Sequence, residues 1–167
     1  MARPHPQVTV AFALVKGSRP EWAVQKLTEL GVDRIVPLVA ARSVVRREEG
    51  SGHFARLRRV AREAAVQSRR LWLPVVDDVA RFELVAAGPG AALAHPGGRP
   101  PSLDHPLLLV GPEGGWDDAE LDLGLPRVGL GPQVLRTETA AVVAGTLLCA
   151  LRAATVLPAG PPADPGG

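Results

Sequence analysis

Short apolar runs that alternate with amphipathic segments are the feature that most constrains the fold of this 167-residue chain. The runs VTVAFALV (residues 8–15), RIVPLV (34–39) and PLLLVG (106–111) are aliphatic and β-branched, with little polar alternation. Such runs are typical of strands that are covered on both faces. Because a segment with helical periodicity follows each run, the sequence predicts an α/β fold with a mostly parallel sheet and helices on both faces.

Local signals place the remaining elements. In KGSRPEWAVQKLTELG (16–31), Ser18 and Glu21 have the spacing of a capping box, and Gly31 has the position of a left-handed helix stop. Pro37 is expected at a bulge or on an edge strand, because it cannot donate a ladder hydrogen bond. We also predict helices over about residues 53–69, 81–88, 116–124 and 137–156, and short strands within 71–79, 91–95 and 127–131.

Length and composition indicate one domain over residues 1–157, followed by a disordered tail over 158–167 that is rich in proline and glycine. The single cysteine, Cys149, excludes an internal disulfide and fits a reducing, cytoplasmic compartment. The longest apolar window, residues 140–157, contains Arg152 and many small residues, so we expect a buried helix and no membrane span. The four histidines lack the spacing of metal ligands, so no metal site is expected.

Positive charge is concentrated in one stretch of the chain. Nine arginines but only three glutamates lie between Arg42 and Arg70, with both end residues included. This distribution favours an anionic partner such as a nucleic acid, although a solvated helix face in an arginine-rich chain has the same pattern. Trp22, Trp72 and Trp116 are aromatic side chains that could stack on a base, but we expect them to pack in the core.

Two glycine-rich turns follow predicted strands, GPEGG (111–115) and GLGPQVLRTET (129–139). In open α/β sheets ligands bind at the carboxyl ends of strands, and glycine lets the backbone approach a flat ligand closely. Neither turn has a dinucleotide or P-loop pattern, so tight structural turns remain an alternative to a ligand cradle. Asp117, Asp118 and Glu120 fall in the first turn of the next helix, where they would repel an anion and favour a neutral or cationic ligand.

Four blocks of the chain resemble motifs of the uridine-N3 methyltransferases of small-subunit ribosomal RNA (the RsmE family), which belong to the SPOUT superfamily. The blocks are KGSRPEWAVQKLTELGV (16–32), VAREAAVQSRR (60–70), LLLVGPEGGWDDAEL (107–121) and LGPQVLRTETAAVVA (130–144). The resemblance implies a C-terminal trefoil knot, a homodimer, and S-adenosylmethionine held in the knotted loops near the subunit interface. It also implies that ribosomal RNA or the small ribosomal subunit is the partner.

The family usually carries a small N-terminal PUA-like domain as well. That domain is expected to be absent from this chain, because the first predicted strand starts within ten residues of Met1.

The resemblance further implies which residues hold the cofactor and perform the reaction. The expected cofactor residues are Ala94, His95, Val110, Gly111, Pro112, Glu113, Gly114, Gly115, Leu130, Gly131, Val134, Leu135 and Thr137. Glu113 is expected either to face the cationic sulfonium or to cap its own turn. Arg136 is expected to stabilise negative charge on a uracil oxygen or a phosphate. Glu138 is a candidate acceptor for the N3 proton, while capping of the final helix is an alternative for Thr137 and Glu138.

The predicted RNA-binding residues combine the charge pattern with the resemblance. They are Arg19, Arg42, Ser43, Arg46, Arg62, Gln67, Ser68 and Arg69. Arg42 and Ser43 match an Arg-Ser pair of the family, whereas a solvated loop is the alternative for Arg19. If such side chains contact phosphates, RNA affinity should fall steeply with salt concentration.

Overall fold

The computed structural model describes residues 2–17, 19–43 and 51–160, and its helices and strands lie within these ranges. In chain order they are β1 (Thr9–Ala13), α1 (Pro20–Leu30), β2 (Arg34–Val39), α2 (Ser51–Gln67), β3 (Val75–Val76), β4 (Ala80–Arg81), α3 (Phe82–Ala86), β5 (Ala91–Arg99), β6 (Leu107–Val110), α4 (Asp118–Leu121), β7 (Arg127–Val128) and α5 (Thr137–Arg152).

The strands of the described residues form one sheet with the order β3-β2-β1-β6-β5-β7, and β4 also pairs with β2. Each of these pairs is parallel. The carboxyl ends of the strands therefore lie along one edge of the sheet, which we call the carboxyl edge, and the opposite edge is the amino edge. The predicted α/β fold with a mostly parallel sheet is confirmed.

Helices cover both faces of this sheet, as the apolar runs predicted. Successive residues of a strand point to opposite faces. Val10 and Phe12 of β1 therefore pack with α1, α2 and α5, whereas Ala11 belongs to the core of the other face. That second core is smaller, and Phe82 of α3 and Trp116 close it.

The boundaries of α1 follow the predicted signals only in part. Gly31 ends the helix with a φ of 101°, and its N–H donates to the carbonyl of Thr28 at 3.1 Å, so the predicted stop is confirmed. The helix begins at Pro20, and Arg19 at the N-cap position makes no side-chain capping bond. Ser18, the residue predicted to cap this helix, lies outside the described residues.

The edge-strand alternative for Pro37 is wrong, because β2 is an interior strand between β1 and the pair β3 and β4. The bulge alternative agrees with the register, which runs from Ile35 opposite Val76 to Leu38 opposite Ala80 and so sets two residues of β2 against three of the facing chain. The N–H of Asp77 donates to the carbonyl of Ile35 at 3.0 Å, so alternate residues of β2 present their peptide groups to this side. Since β3 ends at Val76 and β4 begins at Ala80, Pro37 faces the gap between them. The missing N–H therefore breaks no ladder bond.

A buried ion cluster fastens the amino edge. The carboxylate of Asp33 accepts a hydrogen bond from the N–H of Val8 at 2.9 Å and pairs with the guanidinium of Arg152. Arg70 lies 3.9 Å from the same carboxylate, and only 8% to 12% of the side-chain surfaces of these three residues is exposed. Arg70 also donates to the carbonyl of Val32 at 2.8 Å. The cluster thus ties the end of α5 and the segment after α2 to the starts of β1 and β2.

Helix α5 is apolar along the side that packs on α1 and β1. A Cβ built on Gly145 would lie 2.6 Å from Cδ2 of Leu27, so the two helices meet where only glycine fits without displacement.

Burial raises the pKa of the Cys149 thiol, with Arg152 acting in the opposite direction, and burial lowers the pKa of Arg70. Across residues 2–17, 19–43 and 51–160, no helix has the length and apolarity that crossing a bilayer requires.

We expect Asp33→Asn to lower the free energy of unfolding by about 3 kcal/mol, because it leaves two buried guanidinium groups without a counter-charge. Asp77→Asn is the matched control, since its partner Arg34 is 56% exposed and an exposed ion pair contributes less than about 1 kcal/mol. Urea denaturation of both variants measures the difference. Equal losses in the two variants would contradict the importance of the buried cluster.

Candidate active site

Three segments at the carboxyl edge enclose a cavity of about 320 Å³. They are the turn after β6, the loop after β7 and the part of β5 beyond its last pairing with β6 at Leu93. The three strands are neighbours in the sheet, so these segments lie side by side. The lining consists of Ala94, His95, Pro96, Val110, Gly111, Pro112, Glu113, Gly115, Trp116, Leu130, Gly131, Gln133, Val134, Leu135 and Ala140. Every predicted cofactor residue except Gly114 and Thr137 is therefore gathered around one cavity.

The turn after β6 is closed by its own backbone. The N–H of Gly115 donates to the carbonyl of Pro112 at 2.8 Å, and Gly115 has a φ of 73°, which strongly favours glycine. Glu113 lies between these two residues with its side chain exposed and makes no side-chain hydrogen bond within the described part of the chain. The interpretation that Glu113 caps its own turn is therefore wrong, and the carboxylate is available to the cavity.

Trp116 joins the turn after β6 to β5. Its indole Nε1 donates to the carbonyl of Ala94 at 3.0 Å, and the ring lies 5.2 Å from that of Phe82, centroid to centroid. A Cβ built on Gly111 would lie 3.0 Å from the same indole, so glycine at this position lets the turn pack tightly on the ring. With 5% of its surface exposed, Trp116 is a packing residue, as the sequence favoured.

Thr137 fixes the first turn of α5 to the turn after β6. Its hydroxyl donates to the carbonyl of Gly111 at 3.0 Å. The N-cap of α5 is Arg136, and neither it nor the two residues that follow supplies a side-chain capping bond. The capping interpretation is therefore wrong for Thr137 and Glu138, because both already lie inside the helix.

The two predicted catalytic residues lie beside the cavity lining and are not part of it. Arg136 is exposed at the start of α5, whereas only 8% of Glu138 is exposed. The Oε2 atom of Glu138 is buried and has no hydrogen-bond partner in the structure. A buried carboxylate oxygen without a partner is costly, so it marks unused acceptor capacity near the carboxyl edge.

The acidic residues after the turn form the predicted helix start. Asp117 Oδ1 accepts from the N–H of Glu120 at 2.8 Å, and Glu120 Oε2 accepts from the N–H of Asp117 at 2.9 Å. This capping box starts α4 two residues later than the sequence suggested. Glu120 is 6% exposed, and its second oxygen accepts from the N–H of Ala41 at 2.8 Å.

The structure divides the predicted RNA-binding residues between the two edges of the sheet. Arg42 and Ser43 follow β2 at the carboxyl edge, and Arg19 precedes α1 there. Gln67, Ser68 and Arg69 end α2 at the amino edge, where the hydroxyl of Ser68 donates to its own helix at 2.7 Å. Arg62 is exposed on α2, and Arg46 lies outside the described residues. Direct contact with one RNA segment is therefore simplest for Arg19, Arg42 and Ser43.

Much of the arginine-rich stretch is already paired within the chain. Arg56 pairs with Glu21 on α1 at 3.4 Å, and Arg59 with Glu63 at 4.0 Å. Arg58 pairs with Asp78 at 2.6 Å and also donates to a backbone carbonyl. Within the described residues, Arg62 and Arg69 are the α2-region arginines that form no ion pair. The positive field of this face is thus smaller than the sequence count indicates.

The RNA methyltransferase domain family matches residues 3–149. The chain belongs to that family. It is 35% identical over 162 residues to the ribosomal RNA small subunit methyltransferase E of Bacillus subtilis (strain 168), covering 83% of this chain and 63% of that protein. The Mycobacterium tuberculosis protein of the same name is 40% identical over 163 residues, covering 83% and 61%. The chain thus spans less than two thirds of these relatives.

Solved structures agree with the family. A probable rRNA-methyltransferase from Porphyromonas gingivalis superposes with a TM-score of 0.78 at 30% identity, covering 93% of this chain and 72% of the other. The ribosomal RNA small subunit methyltransferase E of Neisseria gonorrhoeae, bound to S-adenosyl methionine, gives 0.72 at 30% identity, covering 87% and 66%.

In this RNA methyltransferase domain the sequence missed four lining residues as cofactor candidates: Pro96, Trp116, Gln133 and Ala140. Ala140 lies one helical turn after Thr137, so the helical period could have indicated it. Pro96 follows a predicted strand that continues through β5 to Arg99. No metal site was expected, and among the described residues no three histidine, cysteine or acidic side chains are close enough to hold a metal ion.

We expect Thr137→Val to lower the free energy of unfolding by about 1 kcal/mol and to weaken ligand binding in the cavity, because the carbonyl of Gly111 loses its donor. Thr146→Val removes an exposed hydroxyl from the same helix and is the matched control. Thermal unfolding and calorimetric titration with S-adenosylmethionine check both effects. An unchanged affinity in Thr137→Val would show that this bond does not position the turn.

Proposed function

We propose that this chain is an S-adenosylmethionine-dependent methyltransferase that acts on N3 of a uridine in small-subunit ribosomal RNA. The observation that carries the proposal is the single cavity at the carboxyl edge, which gathers nearly all residues predicted to hold the cofactor. The names of the relatives and the S-adenosyl methionine bound to the Neisseria gonorrhoeae protein support the same chemistry.

The residues of the cavity fit this cofactor. Its volume of about 320 Å³ is at the lower end of the range for small-molecule sites. Val110, Leu130 and Leu135 supply apolar walls for a flat base, and Gly111 and Gly131 let the backbone approach it. The lining residues that the structure describes include Glu113 but neither lysine nor arginine. That charge suits a sulfonium and does not suit a phosphate.

Methylation at N3 requires that the N3 proton leaves for a base while a methyl group passes from the sulfonium sulfur to N3. When bound, the cofactor supplies that methyl group and is left as a neutral thioether. The cavity walls would hold it in line with the attacking nitrogen, which lowers the entropic cost of reaction. Arg136 at the N-cap of α5 would stabilise the negative charge that uracil develops when N3 loses its proton.

Glu138 is our candidate for the base. Its Oε2 atom accepts no hydrogen bond, so its acceptor capacity is unused. Because Leu135 and Ala140, on either side of Glu138 in the chain, line the cavity, we place the uridine at the cavity mouth beside the start of α5, where N3 can face the cofactor. The proton would then pass to the Glu138 carboxylate before reaching solvent.

The same proposal includes the trefoil knot, the homodimer and the cytoplasmic location. The trefoil knot would lie in the C-terminal part of the chain, where the second half of β5 pairs with β7 through Arg99 and Val128. Val134 lines the cavity yet is 95% exposed, which supports its burial by a second subunit in a homodimer. We place this enzyme in the cytoplasm, with residues 1–157 as its catalytic domain.

Calorimetry with S-adenosylmethionine, followed by methyl transfer to small-subunit ribosomal RNA and to assembled subunits, tests the function. We expect cofactor binding and methylation that declines steeply with salt, because phosphate contacts release counterions. Binding of cofactor without transfer to any RNA would favour a knotted binding module that has lost methylation. Absence of cofactor binding would refute both functions.

The roles proposed for Arg136 and Glu138 predict two different losses of methylation activity. Arg136→Ala should lower kcat by about 100-fold or more, since it removes a charge aimed at the developing anion. Glu138→Gln should slow methylation most at neutral pH and less at high pH, where uracil loses its proton without a protein base. Arg34→Ala at the amino edge is the control with an ordinary rate. A pH profile of Glu138→Gln parallel to that of the unmodified protein would refute the base assignment.

A further inference from the structure

Arg42 binds the turn after β6 (residues 112–115), which we call the cofactor turn, on the side opposite the cavity. Its Nη1 donates to the carbonyl of Gly114 at 2.7 Å. A Cβ built on Gly114 would lie 3.7 Å from Cδ of Arg42, so the arginine side chain also packs along this peptide. Glu113 and Gly115, the neighbours of Gly114 in the chain, line the cavity on the inner side.

The loop that carries Arg42 is itself fastened to the segment after the turn. The N–H of Ala41 donates to Oε1 of Glu120 at 2.8 Å. The other oxygen of Glu120 accepts from the N–H of Asp117 at 2.9 Å, directly after the turn. The loop after β2 and the cofactor turn are therefore joined at Gly114 and at Glu120. A displacement of either segment must be followed by the other or must break a hydrogen bond.

The guanidinium of Arg42 has capacity for a second partner. A guanidinium carries five N–H donors in a rigid fork, and within the described residues Arg42 forms a single hydrogen bond, to Gly114. The Arg42 side chain is exposed and forms no ion pair in that part of the chain. The remaining donors can hold a phosphate in bidentate geometry while the bond to Gly114 persists. A lysine ammonium offers its donors from one atom and lacks this fork.

We propose that Arg42 couples the two binding sites, with one guanidinium holding both the cofactor turn and an RNA phosphate. Ligand in the cavity orders the turn and with it the fork of Arg42, so RNA binds more tightly. By linkage, RNA raises the affinity for the cofactor by the same factor. This inference rests on the proposed function but goes beyond it, because two independent sites on one chain would also support methylation.

The coupling factor is measured by calorimetry with S-adenosylhomocysteine, which cannot transfer a methyl group, with and without a small-subunit ribosomal RNA transcript at fixed salt. For the unmodified chain we expect RNA to tighten binding of this ligand about five-fold or more. Arg42→Lys keeps the charge but should bring the factor close to one. Glu120→Gln keeps one acceptor oxygen and replaces the other with an NH₂ group, which cannot accept a hydrogen bond, so it should also lower the factor.

Arg62→Lys is the matched control. Arg62 is exposed on α2, away from the turn, so its replacement should weaken RNA binding equally with and without ligand and leave the factor unchanged. Thermal unfolding verifies that each variant is folded. Arg42→Lys is the decisive variant, because Arg42 is exposed and its replacement should leave the fold unchanged.

The outcomes separate this inference from the proposed function. A factor of one in the unmodified chain, with both ligands bound, overturns the coupling and leaves the methyltransferase function standing. An unchanged factor in Arg42→Lys overturns the role of Arg42. Failure to bind S-adenosylhomocysteine or RNA at all overturns the coupling together with the corresponding part of the proposed function.

Discussion

The parallel alignment of β6, β5 and β7 is the constraint on which the candidate site depends. Parallel neighbours end at the same edge, so the turn after β6, the loop after β7 and the second half of β5 must meet there. The register of Ala92 with Leu108 and of Leu93 with Arg127 fixes how far each strand reaches. The cavity is therefore set by backbone pairing in the sheet, and its lining side chains adjust only its shape and charge.

The turn after β6 and the segment that follows it are then held by bonds to three other parts of the chain. Trp116 connects the turn after β6 to β5, and Thr137 connects the same turn to α5. Glu120 ties the segment after the turn to the loop after β2. Since these bonds use backbone carbonyls and N–H groups as partners, they fix main-chain positions.

The sequence predicted features that depend on neighbouring residues, such as the Gly31 stop and the acidic start of the helix after the GPEGG turn. It could not predict those that depend on partners far along the chain. Asp33 looks like an ordinary surface residue before a strand, and only the fold brings Arg152 to it. For Pro37 the sequence left a bulge and an edge strand open, because the gap between β3 and β4 depends on the return path of the chain. The cavity residues came from family resemblance, since periodicity alone indicated only turns.

The turn after β6 separates charges of opposite sign. Glu113 faces the cavity on one side, and Arg42 packs on the other side against Gly114. Under the proposed function, a cationic cofactor and an anionic RNA would be attracted to opposite sides of the same four-residue turn, without competing for one charge. The peptide group of Gly114, whose carbonyl accepts from Arg42, lies between the two charges. A Cβ built on Gly114 would lie 3.7 Å from Cδ of Arg42, which is an ordinary van der Waals contact, so the arrangement of the two charges follows from the backbone of the turn and not from the lack of a side chain at this position.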